Sequence, residues 1–202
     1  MKQFFCMILL LSAFYLGCSA KTVPIAPPQQ SNPVVSAEST PAKLPPLLTL
    51  DINKARQVAG VYREFDTQKI IAGFNPSMLR NVLAKTQYTG VFLSRCDIDV
   101  LRTLIASGWA PSVIIQTPSG LKHIRIIIGY NDPPGRLTLV DFIDPNRLTQ
   151  LDEGYADFTK QWDNQTCIVF DRNVSESSVK SALEKYLSSE KVASIGITAR
   201  VK

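Results

Sequence analysis

The chain has 202 residues, of which 45% are hydrophobic and 19% charged, and its net charge is +5. This composition is typical of a folded globular protein and excludes a wholly disordered chain. No run of Lys and Arg is longer than two residues, whereas a non-specific nucleic-acid binder usually shows a clustered basic surface. We therefore expect no nucleic-acid partner. The single histidine leaves no Cys/His spacing for a zinc site, so no metal and no cofactor are predicted.

The N-terminus has the pattern of an export signal. Lys2 precedes thirteen mostly apolar residues, Phe4–Leu16, a run too short to span a bilayer but of the length found in signal peptides. The run is followed by Gly17-Cys18, which resembles the lipobox of bacterial lipoproteins. The pattern predicts a signal peptide over residues 1–17 and a lipid anchor on Cys18.

The residues around the cysteine also predict where the mature chain is located. By the sorting rule of bacterial lipoproteins, Ser19 favours the outer membrane, with the domain facing the periplasm. The alternative is ordinary cleavage near Gly17 or Ala20, which gives a secreted protein. We expect an envelope lipoprotein that contacts the membrane through its lipid, or a secreted protein if Cys18 carries none.

Residues 18–47 are predicted to be a linker that follows the anchor. Positions 19–47 contain seven of the thirteen prolines, with Gln, Ser, Thr and Asn between them. Proline favours extended conformations and this polar stretch has little to bury, so a semi-rigid and largely disordered spacer is expected.

The remaining chain predicts helices first and mainly strands afterwards. Helices are expected where a capping residue precedes apolar residues at helical spacing, and strands where β-branched runs lie between turns. The predicted helices are 51–65, 78–85, 98–107, 155–162 and 175–189, and the predicted strands are 111–116, 123–130, 137–142, 166–170 and 192–201. This order indicates an α+β fold.

The order of residues in the second half of the domain resembles a known family. His123 opens the run His-Ile-Arg-Ile-Ile-Ile-Gly-Tyr-Asn-Asp, Asp144-Pro145 follows the next strand, and a helix ends at Trp162. This order resembles that of the double-glycine (bacteriocin-processing) cysteine peptidases, and the likeness covers roughly residues 50–170. The first half of that range matches only as a helical pattern.

The resemblance implies a fold and two site residues. The expected fold is a papain-like domain over residues 48–170, with N-terminal helices packed on an antiparallel sheet and a helix–strand extension over 171–202. His123 stands at the family's general base. Asp144 stands at the residue that orients the imidazole, and Asp141 on the same strand is its rival. A thiol needs such a base, and the base needs an acceptor that fixes its tautomer.

The nucleophile that the family requires is missing. The family places a cysteine at the start of the first helix, where the helix dipole lowers the pKa of the thiol. Residues 48–54 contain no cysteine. Cys96 precedes the third predicted helix and is the alternative nucleophile of a rearranged site. Cys96 and Cys167 could pair in a disulfide or be two small buried hydrophobic residues.

Three hypotheses for function follow from these residues. The first is a degenerate cysteine-peptidase-like domain that binds a peptide or an envelope or secreted protein without cleaving it. Some transporter-linked members of the family lack the cysteine and act as docking domains, which is a precedent for this class. The second is an active papain-like peptidase with an unusual nucleophile position, and the third is a structural envelope lipoprotein.

The N-terminal pattern gives a direct test. We expect the mature parent protein to partition with membranes, because an acyl chain on Cys18 would bury its methylene groups in the bilayer. Cys18→Ala should release the protein into the soluble fraction, as measured by membrane flotation and immunoblotting. Membrane association that is unchanged in the variant would contradict the lipid anchor.

Overall fold

The computed structural model describes residues 40–63, 83–84, 86–144 and 147–200, and at 142–144 and 199–200 it describes the backbone alone. Its elements in chain order are β1 Leu47–Thr49, α1 Ile52–Arg63, β2 Thr89–Ser94, α2 Ile98–Ala106, β3 Ser112–Gln116, β4 Lys122–Asn131, β5 Arg136–Asp144, β6 Arg147–Gly154, α3 Tyr155–Gln161, β7 Trp162–Asp171, α4 Glu176–Tyr186, α5 Ser189–Ser194 and β8 Gly196–Arg200. Cys18, the linker up to residue 39 and most of the predicted helix at 78–85 lie outside the described residues.

The eight strands form one sheet in the order β6-β5-β4-β3-β7-β2-β8, with β1 paired to β4. Every pairing is antiparallel. The strand β4 has β5 on one side, and on the other side it pairs first with β3 and then with β1. The predicted α+β class and antiparallel sheet are therefore confirmed.

Helices cover both faces of this sheet. Successive side chains of a strand point to opposite faces, and on β4 the residues Ile124, Ile126 and Ile128 pack in one apolar cluster with α1. Ile127 and Tyr130 belong to a second cluster, which contains residues of α2, α3, α4 and α5. The sheet thus separates α1 from the other described helices, and this separation determines what can lie beside His123.

The capping signals in the sequence fix the starts of two helices. The carboxylate of Asp51 accepts a hydrogen bond from the backbone N–H of Asn53 at 2.7 Å, at the start of α1. Asp97 accepts one from Val100 at 3.1 Å, at the start of α2. Gly108, with φ of 85°, follows the end of α2, a conformation that glycine adopts without steric cost.

The expectation that helices precede the strands is wrong in two places, and the first is β1, which precedes α1. The strand β2 precedes α2 and lies between β7 and β8 in the sheet. The predicted helix 175–189 is observed as α4, which ends three residues earlier, but the predicted strand 192–201 begins too early, because residues 192–194 belong to α5. The hydroxyl of Ser188 accepts a hydrogen bond from the N–H of Lys191 at 3.3 Å and caps α5. A serine at this position favours a new helix start over a continuous helix.

The C-terminal part of the predicted linker belongs to the domain. The N–H of Ala42 donates to the carbonyl of Lys185 at 2.8 Å, and Pro46 accepts from the N–H of Asp132 at 2.8 Å. Leu47 begins β1. Proline lacks an N–H group but keeps a carbonyl acceptor, so this proline-rich stretch can still bond to a neighbouring turn. The folded unit therefore begins several residues earlier than predicted.

No helix within the described residues combines the length and the apolar character needed to cross a membrane.

The fold predicts how two leucines differ in their effect on stability. Leu104 of α2 is completely buried, whereas 69% of Leu121 is exposed. We expect Leu104→Ala to lower the free energy of unfolding by about 2–5 kcal/mol, because it removes buried methyl groups and leaves a cavity. Leu121→Ala, the matched control, should change it by less than about 0.5 kcal/mol. Urea titration followed by circular dichroism measures both, and equal effects would contradict this assignment of the core.

Candidate functional site

The single histidine lies near one end of β4 and contacts an aspartate of β5. Nε2 of His123 is 3.2 Å from Oδ2 of Asp141, and their side chains are 18% and 11% exposed. Nε2 of His123 has no hydrogen-bond partner among the described residues. The contact therefore has the geometry of an ion pair, which becomes fully charged when the imidazole is protonated.

This pair continues into a chain of polar contacts. Nε of Arg125 donates to Oδ2 of Asp141 at 3.4 Å. A terminal nitrogen of Arg125 donates to Glu153 at 2.6 Å, and the other carboxylate oxygen of Glu153 accepts from the amide of Gln161 at 2.7 Å. The chain runs from β4 through β5 and β6 to α3. The side chains of Arg125 and Glu153 are only 13% and 14% exposed, so these charges are screened weakly by solvent.

The charge on Asp141 is set by its neighbours. Burial acts to raise the pKa of this carboxyl, but the imidazole of His123 and the guanidinium of Arg125 act in the opposite direction and prevail. The pKa of Asp141 is therefore lowered from its usual value, and the group is ionised at neutral pH. A buried carboxylate beside Arg125 and His123 thus supplies a fixed negative charge at this end of the sheet.

An open cleft of about 560 Å³ lies at the same end of the sheet. Its walls are the turn at 117–120, the C-terminal half of α3 and residues 162–164 of β7. Gln161 lies in the wall of this cleft and also bonds to Glu153. The polar chain from His123 therefore reaches the cleft, whose volume is within the range of ligand sites.

A bulge in β7 forms one wall of the cleft. Val113 of β3 pairs with Cys167, whereas Ile115, two residues later, pairs with Trp162. Six positions of β7 therefore lie against three of β3, and Asn164 and Gln165 take positive φ values of 54° and 48°. The extra residues protrude from the ladder, as bulges near binding sites often do.

The structure describes the side chain of only one of the two predicted aspartates, Asp141. Asp141 contacts His123, as described. Asp144 ends β5 and pairs with Arg147 of β6, and its side chain lies outside the described part of the structure. The two strands that carry His123 and Asp144 are adjacent, as the family resemblance predicts.

The start of α1 lies far from the histidine. The N–H of Leu50 donates to the carbonyl of Ile128 at 2.7 Å, five residues along β4 from His123, or about 16 Å. The side chains of α1 pack with Ile124 and Ile126, on the face opposite His123. The helix start at which the family carries its nucleophile is thus not brought to the imidazole.

The two domain cysteines are also separated from the histidine. Both are fully buried, and their sulfur atoms are 3.8 Å apart. Val113 pairs with Arg125 on one side and with Cys167 on the other, so β3 lies between β4 and β7. Two strand spacings, from β4 across β3 to β7, are about 10 Å. The thiol of Cys167 is therefore beyond hydrogen-bond reach of the imidazole. Burial and the neighbouring Cys96 raise the pKa of the Cys167 thiol, which keeps it protonated and unreactive.

Sequence reasoning missed three members of the polar chain: Arg125, Glu153 and Gln161. The sequence could have indicated Arg125, because it lies two residues after His123 and the alternation of side chains along a strand places both on one face. No sequence pattern indicates Glu153, because its position depends on β6, an edge strand with no clear apolar alternation.

The described residues bring no three His, Cys, Asp or Glu side chains together in a way that could hold a metal ion.

Comparison of the chain with protein-family models, with curated proteins and with solved structures finds no match. The resemblance to the double-glycine peptidases remains a prediction.

The site predicts a pH-dependent effect of one substitution. At pH 7, Asp141→Asn should lower the free energy of unfolding by about 1–3 kcal/mol, because it removes the negative charge that faces the buried guanidinium of Arg125. The pKa of Asp141 is lowered in the folded state from 3.8, so its contribution is present above that value and is lost as the pH falls through the folded value. The difference between parent and variant should therefore shrink in acid.

Urea titrations of both proteins between pH 7 and pH 3 measure this difference. Asp157→Asn is the matched control, because Asp157 is exposed and pairs with the exposed Lys160; its effect should stay below about 0.5 kcal/mol. A difference for Asp141→Asn that is as large at pH 3 as at pH 7 would contradict the assigned role.

Proposed function

We propose that this chain is a lipid-anchored protein of the bacterial cell envelope whose domain binds a segment of a peptide or protein partner without cleaving it. The observation that carries the proposal is the open cleft formed by the turn at 117–120, α3 and the bulge of β7, which the polar chain from His123 reaches through Gln161. Open clefts next to irregular strands are common places for a peptide to dock.

The charges of the cleft support an uncharged polar segment as ligand. Asp163 in its wall pairs with Lys122 at 2.9 Å, and Asp157 pairs with Lys160 at 2.9 Å. Each acidic group is thus compensated by a basic one within the protein itself. A strongly charged ligand would gain little from such a surface, whereas peptide amides and small side chains can exchange hydrogen bonds with it.

The arrangement of thiols supports binding without hydrolysis. Peptide cleavage of this class needs a thiolate within hydrogen-bond reach of the imidazole. Cys96 and Cys167 are buried beyond β3, and the start of α1 lies on the other face of the sheet. His123 is held by a carboxylate, yet the described residues place no thiol beside it.

A displayed peptide library tests binding, with two glutamines as a matched pair. Gln116 is exposed and lines the cleft, while Gln150 is exposed on the edge strand β6. We expect Gln116→Trp to fill the cleft and weaken binding of selected peptides by at least about tenfold, roughly 1.4 kcal/mol. Gln150→Trp should bind like the parent protein. Failure to select any peptide, or equal loss in both variants, would contradict the proposed cleft.

A cleavage assay on the same library separates this function from an active peptidase. We expect no turnover by the parent protein, because removing the nucleophile from such a site costs orders of magnitude in rate. The variants His123→Ala and Cys96→Ala are measured beside it. Robust cleavage by the parent that both substitutions abolish would establish the peptidase instead.

A further inference from the structure

Two buried cysteines lie side by side at the junction of β7 and the start of α2. They are 71 positions apart in the chain, yet their sulfur atoms are 3.8 Å apart, and neither is exposed. The N–H of Cys96 donates to the carbonyl of Gln165 at 2.9 Å. Cys167 pairs with Leu93 on β2, three residues before Cys96. The backbones that carry the two thiols are therefore held together on both sides.

We propose that Cys96 and Cys167 are joined by a disulfide bond in the mature protein. A disulfide requires sulfur atoms about 2.05 Å apart, so the two atoms must approach by less than about 2 Å. The hydrogen bond and the strand pairing described above already fix the backbones near each other. Rotation of the side chains accounts for the remaining approach.

The cysteine inventory is consistent with a single bond. The chain has four cysteines, and Cys6 and Cys18 belong to the predicted signal peptide and lipid anchor. The inference rests on the proposed export, which would take the domain to an oxidising compartment, where disulfides form and persist. The competing interpretation is a pair of small hydrophobic residues that stay reduced.

Formation of the bond requires a two-electron oxidant, and a compound that carries a disulfide, such as a thiol oxidase or oxidised glutathione, supplies it. One thiolate attacks the oxidant and forms a mixed disulfide, and the second thiolate displaces it. Two protons and two electrons leave the cysteine pair, one S–S bond forms, and the oxidant is reduced to two thiols. Because both sulfur atoms are fully buried in the folded domain, the exchange takes place while the chain folds, and the finished bond is shielded from reductants.

The bond would restrain the bulge of β7, which forms one wall of the cleft. Asn164 and Gln165, which have positive φ, directly precede the strand segment that carries the second sulfur. A cross-link here closes a loop of about seventy residues and so restricts the unfolded chain more than a short loop would.

Peptide mapping of the full chain tests the bond. The protein is isolated from envelopes in the presence of a thiol-blocking reagent, denatured in it and digested with trypsin without reductant. Cleavage at Arg95, Arg102, Lys160 and Arg172 releases residues 96–102 and 161–172. We expect these two peptides as one linked species that separates on reduction, and Cys96→Ala should yield residues 161–172 with a blocked thiol.

A stability measurement gives a second, independent test. The urea midpoint of the parent should fall when reductant is present throughout unfolding and refolding, whereas that of the Cys96→Ala, Cys167→Ala double variant should not change. Recovery of both parent peptides with individually blocked thiols would overturn the proposal. An unchanged parent midpoint in reductant would do the same.

Discussion

The strand β4 is the constraint on which the rest of the domain depends. It pairs with β3 and β1 on one side and with β5 on the other, and both of its faces are covered by helices. A shift of register by one residue would exchange the side chains of the two faces, so burial on both sides fixes the register strongly. His123 and Arg125 lie on a covered face of this strand, and polar groups in that position need partners. Asp141 and Glu153 supply them.

A second polar cluster lies at the start of α3, the helix that forms one wall of the cleft. Arg102 of α2 pairs with Asp132, in the turn between β4 and β5, and its guanidinium lies 5.3 Å from the centre of the Tyr130 ring. The hydroxyl of Tyr155 donates to the same Asp132 carboxylate at 2.8 Å. Burial and this acidic neighbour raise the pKa of Tyr155, so its hydroxyl remains a donor. These contacts fix the start of α3, the helix whose C-terminal half lines the cleft.

The elements that could be predicted are those in which local signals and burial agree. The helix α2 has an aspartate cap, apolar spacing and a terminating glycine, and its predicted bounds differ from the observed ones by one residue. The edge strand Arg147–Gly154 was missed because its side chains are largely exposed and carry no regular apolar pattern. The partner of Arg125 depends on that strand, so only part of the polar chain could be anticipated. Which face of the sheet α1 covers depends on the long-range pairing of β1 with β4, which no local pattern encodes.

The N-terminal strand β1 joins the sheet at the end of β4 that is remote from the cleft. Leu47 pairs with Asn131 at one end of β4, whereas the cleft lies toward the other end, where His123 is found, eight residues or about 26 Å away. A partner bound in the cleft therefore need not contact the strand through which residues 47–49 join the sheet.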